Sequence, residues 1–456
     1  MKKYDIFPTE DNLKISIDKD ITGRNKDIFY LLKLLNLQDG SWSIAIDGAW
    51  GTGKTFFVKQ CQYMLENLPN HQKLVQKLGV DQDVNIINQK NFRTIYYDAW
   101  EHDQNSDPIE SILTCIAQSN WKSNVKETVI KAIDIGVNIL AATTPISGGI
   151  KELKNNLLKN QNSNSLKQLK KEFNETLSEL APENGQLIIF VDELDRCKPT
   201  YAVKVLERIK HYFNNPNVTF IFSVDISQLQ NTIRRYYGNQ FNGYHYLDRF
   251  FDIVIKLPEP DLTKYLDNTE NILEIDTLFD GRKNNYYHNF CIELIKHFSL
   301  SLRQINHFYL KTNSATYNLI NSTLHHGFSY SNHGKFIIYT FILPLMCALN
   351  QYDFEAYNNF IDGHALNSTL EILAKSSSFT TYYKNLLGSE SQKNLNMLNE
   401  VNKIYNFIFN NSSNTSTLVI SEEASIEWPT GYKDTLIKSC ALLSPTVKYE
   451  DKINND

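Results

Sequence analysis

The run Gly48-Ala-Trp-Gly-Thr-Gly-Lys-Thr55 constrains this chain more than any other feature. It fits G-x-x-x-x-G-K-[ST] and stands between an apolar run, residues 42–46 (WSIAI), and a helix-compatible one, residues 54–65. Strand, glycine turn and helix form the geometry in which backbone N–H groups converge on phosphate oxygens while the helix N-terminus adds its dipole. Gly48, Gly51 and Gly53 admit that close approach, and Ala49, Trp50, Thr52 and Phe56 complete the candidate binding segment. Lys54 is the residue to reach the β and γ phosphates, which makes it a catalytic candidate as well, and Thr55 is the one to offer a hydroxyl to Mg2+. Such a loop binds nucleotide; hydrolysis needs further groups.

Four more apolar runs of strand length follow, at residues 94–98 (TIYYD), 187–191 (LIIFV), 218–224 (VTFIFSV) and 251–257 (FDIVIKL), with helix-compatible stretches between them. Continuous rather than alternating hydrophobicity is expected of strands buried on both faces. The alternation of strand and helix predicts an α/β fold, a parallel sheet flanked by helices. Residues 27–37 carry apolar positions at helical spacing, and residues 1–40 read as an extended lead into that helix. Leu166, Leu169, Phe173, Leu177 and Leu180 line one face of a further helix inside a helical insert at about 105–185. After about residue 262 no further buried strand is clear. The chain therefore divides into a core, 1–262, and a mostly helical C-terminal domain, 263–456, lid-like at its start and a candidate for partner binding. At 456 residues the chain exceeds what one hydrophobic core usually serves, which agrees with that division.

The acidic half of the chemistry lies at Leu187-Ile-Ile-Phe-Val-Asp-Glu-Leu-Asp-Arg196, where a hydrophobic strand delivers Asp192 and Glu193 at its C-terminal end. Asp192 is placed to hold the Mg2+ shell and Glu193 to orient and polarise an attacking water. Asp195 and Arg196 are open between a structural ion pair and a functional role. Ser223 or Asp225, at the end of another strand, could sense the γ-phosphate, since ligands of open parallel sheets sit at the carboxyl ends of strands. Arg249 and Arg303 are candidates for balancing transition-state charge, although by spacing alone such residues are more often ordinary surface or packing arginines. Arg24, within the stretch Asp20-Ile-Thr-Gly-Arg-Asn25, belongs to a candidate adenine-side lid or to a solvated turn.

Several other classes are excluded. Lys and Arg total 46 against 51 Asp and Glu, a formal charge of −5, so no strong nucleic-acid signal is present. The six cysteines are scattered without metal-ligand spacing, as expected of free thiols in a reducing cytosol. Membrane insertion is not expected: residues 336–349 are apolar but short and contain Pro344, and residues 132–150 are interrupted by Asp134, Asn138 and Pro145. No protease triad or metal cluster is visible, and no motif supports an acceptor pocket for a small-molecule kinase.

In order and spacing, these motifs resemble the KAP family of P-loop ATPases, relatives of the AAA+ and signalling NTPases. The likeness is carried by the Asp20 to Arg24 lead, the glycine loop with its tryptophan, Asp98-Ala-Trp-Glu101, Asp192-Glu-Leu-Asp-Arg196, Tyr246-Leu-Asp-Arg-Phe-Phe and Leu302-Arg-Gln-Ile-Asn306, across about residues 15 to 310. Three departures stand out. Glu193 stands where the family often has a second Asp, Arg249 stands where Lys is common, and the insert is weakly apolar where many members place transmembrane helices. The resemblance implies a cytoplasmic ATPase using ATP and Mg2+ as a switch or assembly protein, with a homo-oligomer or a protein effector as partner. Bacterial members of the family often act in anti-phage defence. By the same resemblance Arg303 contacts nucleotide in cis. The alternative is a non-hydrolysing scaffold gated by nucleotide.

Overall fold

In a computed structural model of the chain, the residues described are 7–67, 90–104, 107–119, 123–143, 166–213, 215–269, 286–320, 333–387, 395–410, 417–420, 425–427 and 432–441. They fall into two compact units, Ile6–Asn268 and one that begins at Thr269.

The first unit is organised by parallel strands β1 (Ser43–Asp47), β2 (Asn91–Asp98), β3 (Gly185–Asp192), β4 (Val218–Val224) and β5 (Ile253–Lys256). All five expected strands are present, in the spatial order β2-β3-β4-β1-β5. Strand β4 therefore separates the strand that feeds the glycine loop from the strand that carries the acidic pair. The register aligns Asp98 with Asp192, Asp192 with Ser223, and Val224 with Asp47, so these residues all end at one edge of the sheet.

Side chains alternate between two cores. Ala45, Ile95, Tyr97, Ile189, Val191, Phe220 and Phe222 face one layer of helices. Ile44, Ile46, Ile188, Phe190 and Ile221 face the other, which contains α1 (Glu10–Lys19), α2 (Asn25–Leu37) and α3 (Lys54–Asn67). Strands β3 and β4 are buried over nearly their whole length, which is why their sequences read as unbroken apolar runs. At the sheet's edge, β2 begins at Asn91, three polar or half-buried residues before its apolar segment.

Helix α1 corrects the expectation of an extended lead. Thr9 caps it by accepting from the Asn12 amide, and Leu13, Ser16 and Ile17 are buried against the second core. Its apolar face is too narrow to stand out from the sequence, and packing rather than propensity decides the helix.

The insert between β2 and β3 supplies α4 (Pro108–Gln118), α5 (Ser123–Thr143) and α6 (Leu166–Leu180). Ile109, Ile112, Leu113, Ile135, Ile139, Phe173 and Leu177 from these helices join the first core. Gly136 lets α5 lie close on α4, since a Cβ there would come within 2.5 Å of a Leu113 methyl. Ala132, Ile135 and Ile139 thus pack against protein while Val137 is exposed; residues 144–150 of that stretch lie outside the described residues. Helices α7 (Pro199–Tyr212), α8 (Ile226–Tyr237), α9 (Gly243–Leu247) and α10 (Leu262–Thr269) complete the unit.

The second unit is mostly helical, with a short antiparallel pair, Thr417–Val419 and Ser425–Glu427, that the sequence did not announce. Among the described residues one helix, His333–Tyr352, is long and apolar enough to cross a bilayer, and 83% of its apolar window is buried inside the protein. It holds the apolar stretch at 336–349 and passes through a π-turn at Ile338–Ile342, just before Pro344.

Candidate nucleotide-binding site

Strand β1 ends at Asp47, whose carboxylate accepts from the Ile226 amide, while the Gly48 amide donates to the Val224 carbonyl at 3.2 Å. These bonds fix where the glycine loop leaves the sheet. Gly51 (φ 84°) and Gly53 (φ 90°) take left-handed backbone that L side chains rarely adopt, which accounts for both glycines. Lys54 is buried, and its ammonium donates to the carbonyls of Gly48 (2.5 Å) and Ala49 (3.2 Å) across the loop. Ala49 and Trp50 are exposed, Thr55 is half-buried and Phe56 packs on the core below. The Thr52 hydroxyl donates to Ala49 at 2.8 Å and tightens the turn.

Arg24 ties the loop down from the other side. It is 3% exposed; its Nη1 donates to the Thr52 carbonyl at 2.8 Å and its Nε to the Pro258 carbonyl at 2.9 Å, with Nη2 on Pro258 as well. Burial lowers this guanidinium to about 10, still charged at neutral pH. The segment around it is a turn between α1 and α2, pinned to the chain after β5 by the Asp261 amide on Thr22 and by Asp20 with Lys264. Backbone carbonyls engage the guanidinium, so any effect of Arg24 on nucleotide runs through the loop.

Asp192 is 1% exposed and bonded twice: Tyr96 Oη donates to Oδ2 at 2.8 Å and the Glu193 amide to Oδ1 at 2.9 Å. Glu193 itself sits at φ 59° and ψ 22°, a left-handed conformation uncommon for a residue with a long side chain. Such strain concentrates at functional sites. Burial, then the neighbouring Asp192, push the Glu193 carboxyl up to about 7, against the pull of Arg196, whose Nε forms an ion pair with Oε2. Asp195 is also buried and raised by that burial; its Oδ2 accepts from the Trp50 indole N–H at 2.5 Å.

The hydroxyl of Ser223, directly opposite Asp192, is buried without a hydrogen-bond partner among the described residues. An orphaned donor beside a buried carboxylate, at the edge where the glycine loop begins, fits a group that also has oxygens to offer, such as a phosphate or a hydrated cation. A hard, oxygen-seeking Mg2+ suits the donor set of Thr55 hydroxyl and Asp192 carboxylate. Asp225 caps α8 by accepting from the Gln228 amide at 3.1 Å, which occupies one of its oxygens.

The structure thus gathers the glycine loop, Asp192, Glu193, Asp195, Arg196, Ser223 and Asp225 at one edge. Arg249 is exposed in the segment that enters β5, whereas the loop lies where strands exit. Arg303 is exposed at the start of helix Leu302–Ile320 in the other unit. Tyr96 was missed by sequence reasoning, because nothing in a strand sequence says which carboxylate a tyrosine will reach.

A parallel sheet with this strand order, a glycine loop leading into a helix and a buried aspartate at the end of the next strand but one defines a P-loop NTPase. The model of the KAP family P-loop domain matches residues 25–319, and the chain belongs to that family. Among solved structures it is similar to the Aeropyrum pernix ORC2 protein in ADPNP–ADP complexes, with a TM-score of 0.35 and 10% identity over 91% of this chain and 92% of that one. It is also similar to the Aeropyrum pernix ORC1 protein in complex with DNA, with a TM-score of 0.32 and 13% identity over 92% of each chain. No curated protein matches the sequence.

Proposed function

We propose that the chain binds ATP with Mg2+ at Gly48–Thr55, hydrolyses the β–γ anhydride and uses the cycle as a switch or assembly ATPase. Glu193 carries the reading: a strained, largely buried carboxyl raised to about 7, one residue beyond the Asp192 carboxylate. In this scheme the loop amides and Lys54 hold the β and γ phosphates, and Thr55 and Asp192 hold Mg2+. Mg2+ held there would supply neutralisation of developing charge on the phosphoryl oxygens, and beside it the Glu193 carboxyl would ionise more readily. Glu193 accepts a proton from the attacking water, and Ser223 donates to a γ-phosphate oxygen or to that water. Arg303 serves the chain's own nucleotide by family resemblance. The position of Arg249 at the strand-entry edge suits contact with the nucleotide of a second copy.

The residues from about 263 onward are the part proposed to respond to nucleotide state and to engage a partner, in the cytoplasm and, by resemblance, in bacterial anti-phage defence. Phosphate release by purified protein tests the core of this reading. Wild type should turn over ATP, and Glu193→Gln and Asp192→Ala should abolish turnover while Glu193→Gln still binds ATP. Wild-type turnover in Glu193→Gln overturns the role given to that residue. Light scattering with ATP and with ADP tests assembly, and an unchanged monomer in both counts against it.

A further inference from the structure

Arg196 sits where three sequence segments meet. Its Nε pairs with Oε2 of Glu193, and its guanidinium lies 5.9 Å from the ring centre of Trp50 and 5.6 Å from that of Trp100. Trp50 belongs to the glycine loop and Trp100 to the turn after β2. The same Trp50 indole is anchored by its N–H to Asp195, the residue before Arg196. Leu194–Arg196 form a single 3₁₀ turn, which sets Arg196 three residues from Glu193.

We propose that Arg196 is a positioning residue that ties the carboxylate of Glu193 to the glycine loop through the indole of Trp50. The proposal rests on Glu193 being the group that activates water. A guanidinium within about 6 Å of two indole rings is attracted by the negative faces of both, so the cation is drawn toward Trp50 and Trp100 together. Donation from Nε to one carboxylate oxygen leaves the other oxygen of Glu193 to accept from water. Trp50 and Trp100 are 48% and 53% exposed and, with Arg196, line an open cavity of about 580 Å³. The indoles are thus not buried for the sake of the core; their faces are used by Arg196. A shift of the loop around phosphate displaces Trp50, and Trp50 carries Arg196 and Glu193 with it.

A merely structural ion pair would leave no such link, and the two are separated by four measurements on the full chain. In steady-state ATP hydrolysis, Arg196→Ala should lower kcat by about ten- to hundredfold, as for a catalytic group displaced by about 1 Å, with KM changed little. Arg196→Lys keeps a cation for Glu193 but lacks the broad guanidinium that reaches the carboxylate and both indoles at once, so it should recover only a minor part of that loss. In single-turnover reactions run long enough to read the residual hydrolysis of Glu193→Gln, adding Arg196→Ala should slow it no further, because it acts through the group already removed. Finally, a non-hydrolysable ATP analogue with Mg2+ should change tryptophan emission in wild type, and Arg196→Ala should bind the analogue yet lose most of that change. Wild-type kcat in Arg196→Ala, full rescue by lysine, or an emission change that persists in Arg196→Ala each overturns the proposal. If wild type itself releases no phosphate, the role of Glu193 fails separately, and the emission response alone decides whether Arg196 couples the loop to the acidic segment.

Discussion

Ser223 lies directly across the β3–β4 ladder from Asp192, and its buried hydroxyl has no protein partner among the described residues. A buried hydroxyl without a bond costs stability, on the order of 1–3 kcal/mol of desolvation. Replacement by Ala should therefore leave the melting temperature unchanged or raise it slightly. If the hydroxyl serves γ-phosphate or water, the same variant should lose about tenfold or more in kcat. A variant as active as wild type would assign Ser223 to packing alone.

Tyr96 offers a test of the proposed Mg2+ site that spares the proposed ligand itself. Its hydroxyl donates to Asp192 Oδ2 at 2.8 Å, and burial, then the neighbouring carboxylate, hold that phenol protonated. A partner that orients a ligating carboxylate typically matters about 10- to 100-fold for metal affinity. Tyr96→Phe keeps the ring and should raise the Mg2+ concentration needed for half-maximal turnover by up to that factor. ATP affinity measured without Mg2+ should not change.

The loop and the acidic strand were legible because each is local: glycines at fixed spacing, and an apolar run ending in two carboxylates. The strand positions followed for the same reason, since β3 and β4 are buried on both faces and leave an unbroken apolar signature. What sequence could not supply is convergence. Arg24 reads as part of a lid, yet its side chain reaches 28 residues along the chain to Thr52 and 234 residues to Pro258. Trp50, Trp100 and Arg196 belong to separate motifs whose common point exists only once β1, β2 and β3 share an edge. Helix α1 was missed because three buried residues make too short a period to distinguish from a polar lead.

The Arg24 tether carries its own prediction. Hydrogen bonds from a charged donor contribute about 1.5–3 kcal/mol each, and removing this donor leaves two carbonyls, on Thr52 and Pro258, in need of partners. Arg24→Ala should lose roughly 2 kcal/mol, equivalent to a fall of about 4–8 °C in melting temperature for a unit of this size. Arg24→Lys keeps the charge but cannot span both carbonyls, and should recover only part of it. ATP affinity should fall in parallel with stability. A variant that loses affinity at full stability would instead mean direct contact with nucleotide.

Lys59, on α3 two residues from Cys61, stands over the Tyr96 ring at 3.2 Å and lines a cavity of about 700 Å³ beside strand β2. Burial lowers its ammonium from the ordinary 10.5 to about 8, although Asp192 and Glu66 pull the other way. Between those two values the unfolded chain holds a proton that the folded chain has released. Stability contributed by this group therefore rises with pH from about 8 to about 10.5 and is flat below 8, where both states are charged. Other groups titrate in the same range, so the measurement is a difference: wild type against Lys59→Met, melted in parallel across pH 7 to 10.5. The side chains are of similar length, and Met keeps an apolar stem on Tyr96 without the buried charge. Lys59→Met should be the more stable of the two at pH 7 and should lose that advantage as pH rises. A constant difference across the whole range would show that Lys59 keeps its ordinary proton affinity and stays solvated in the fold.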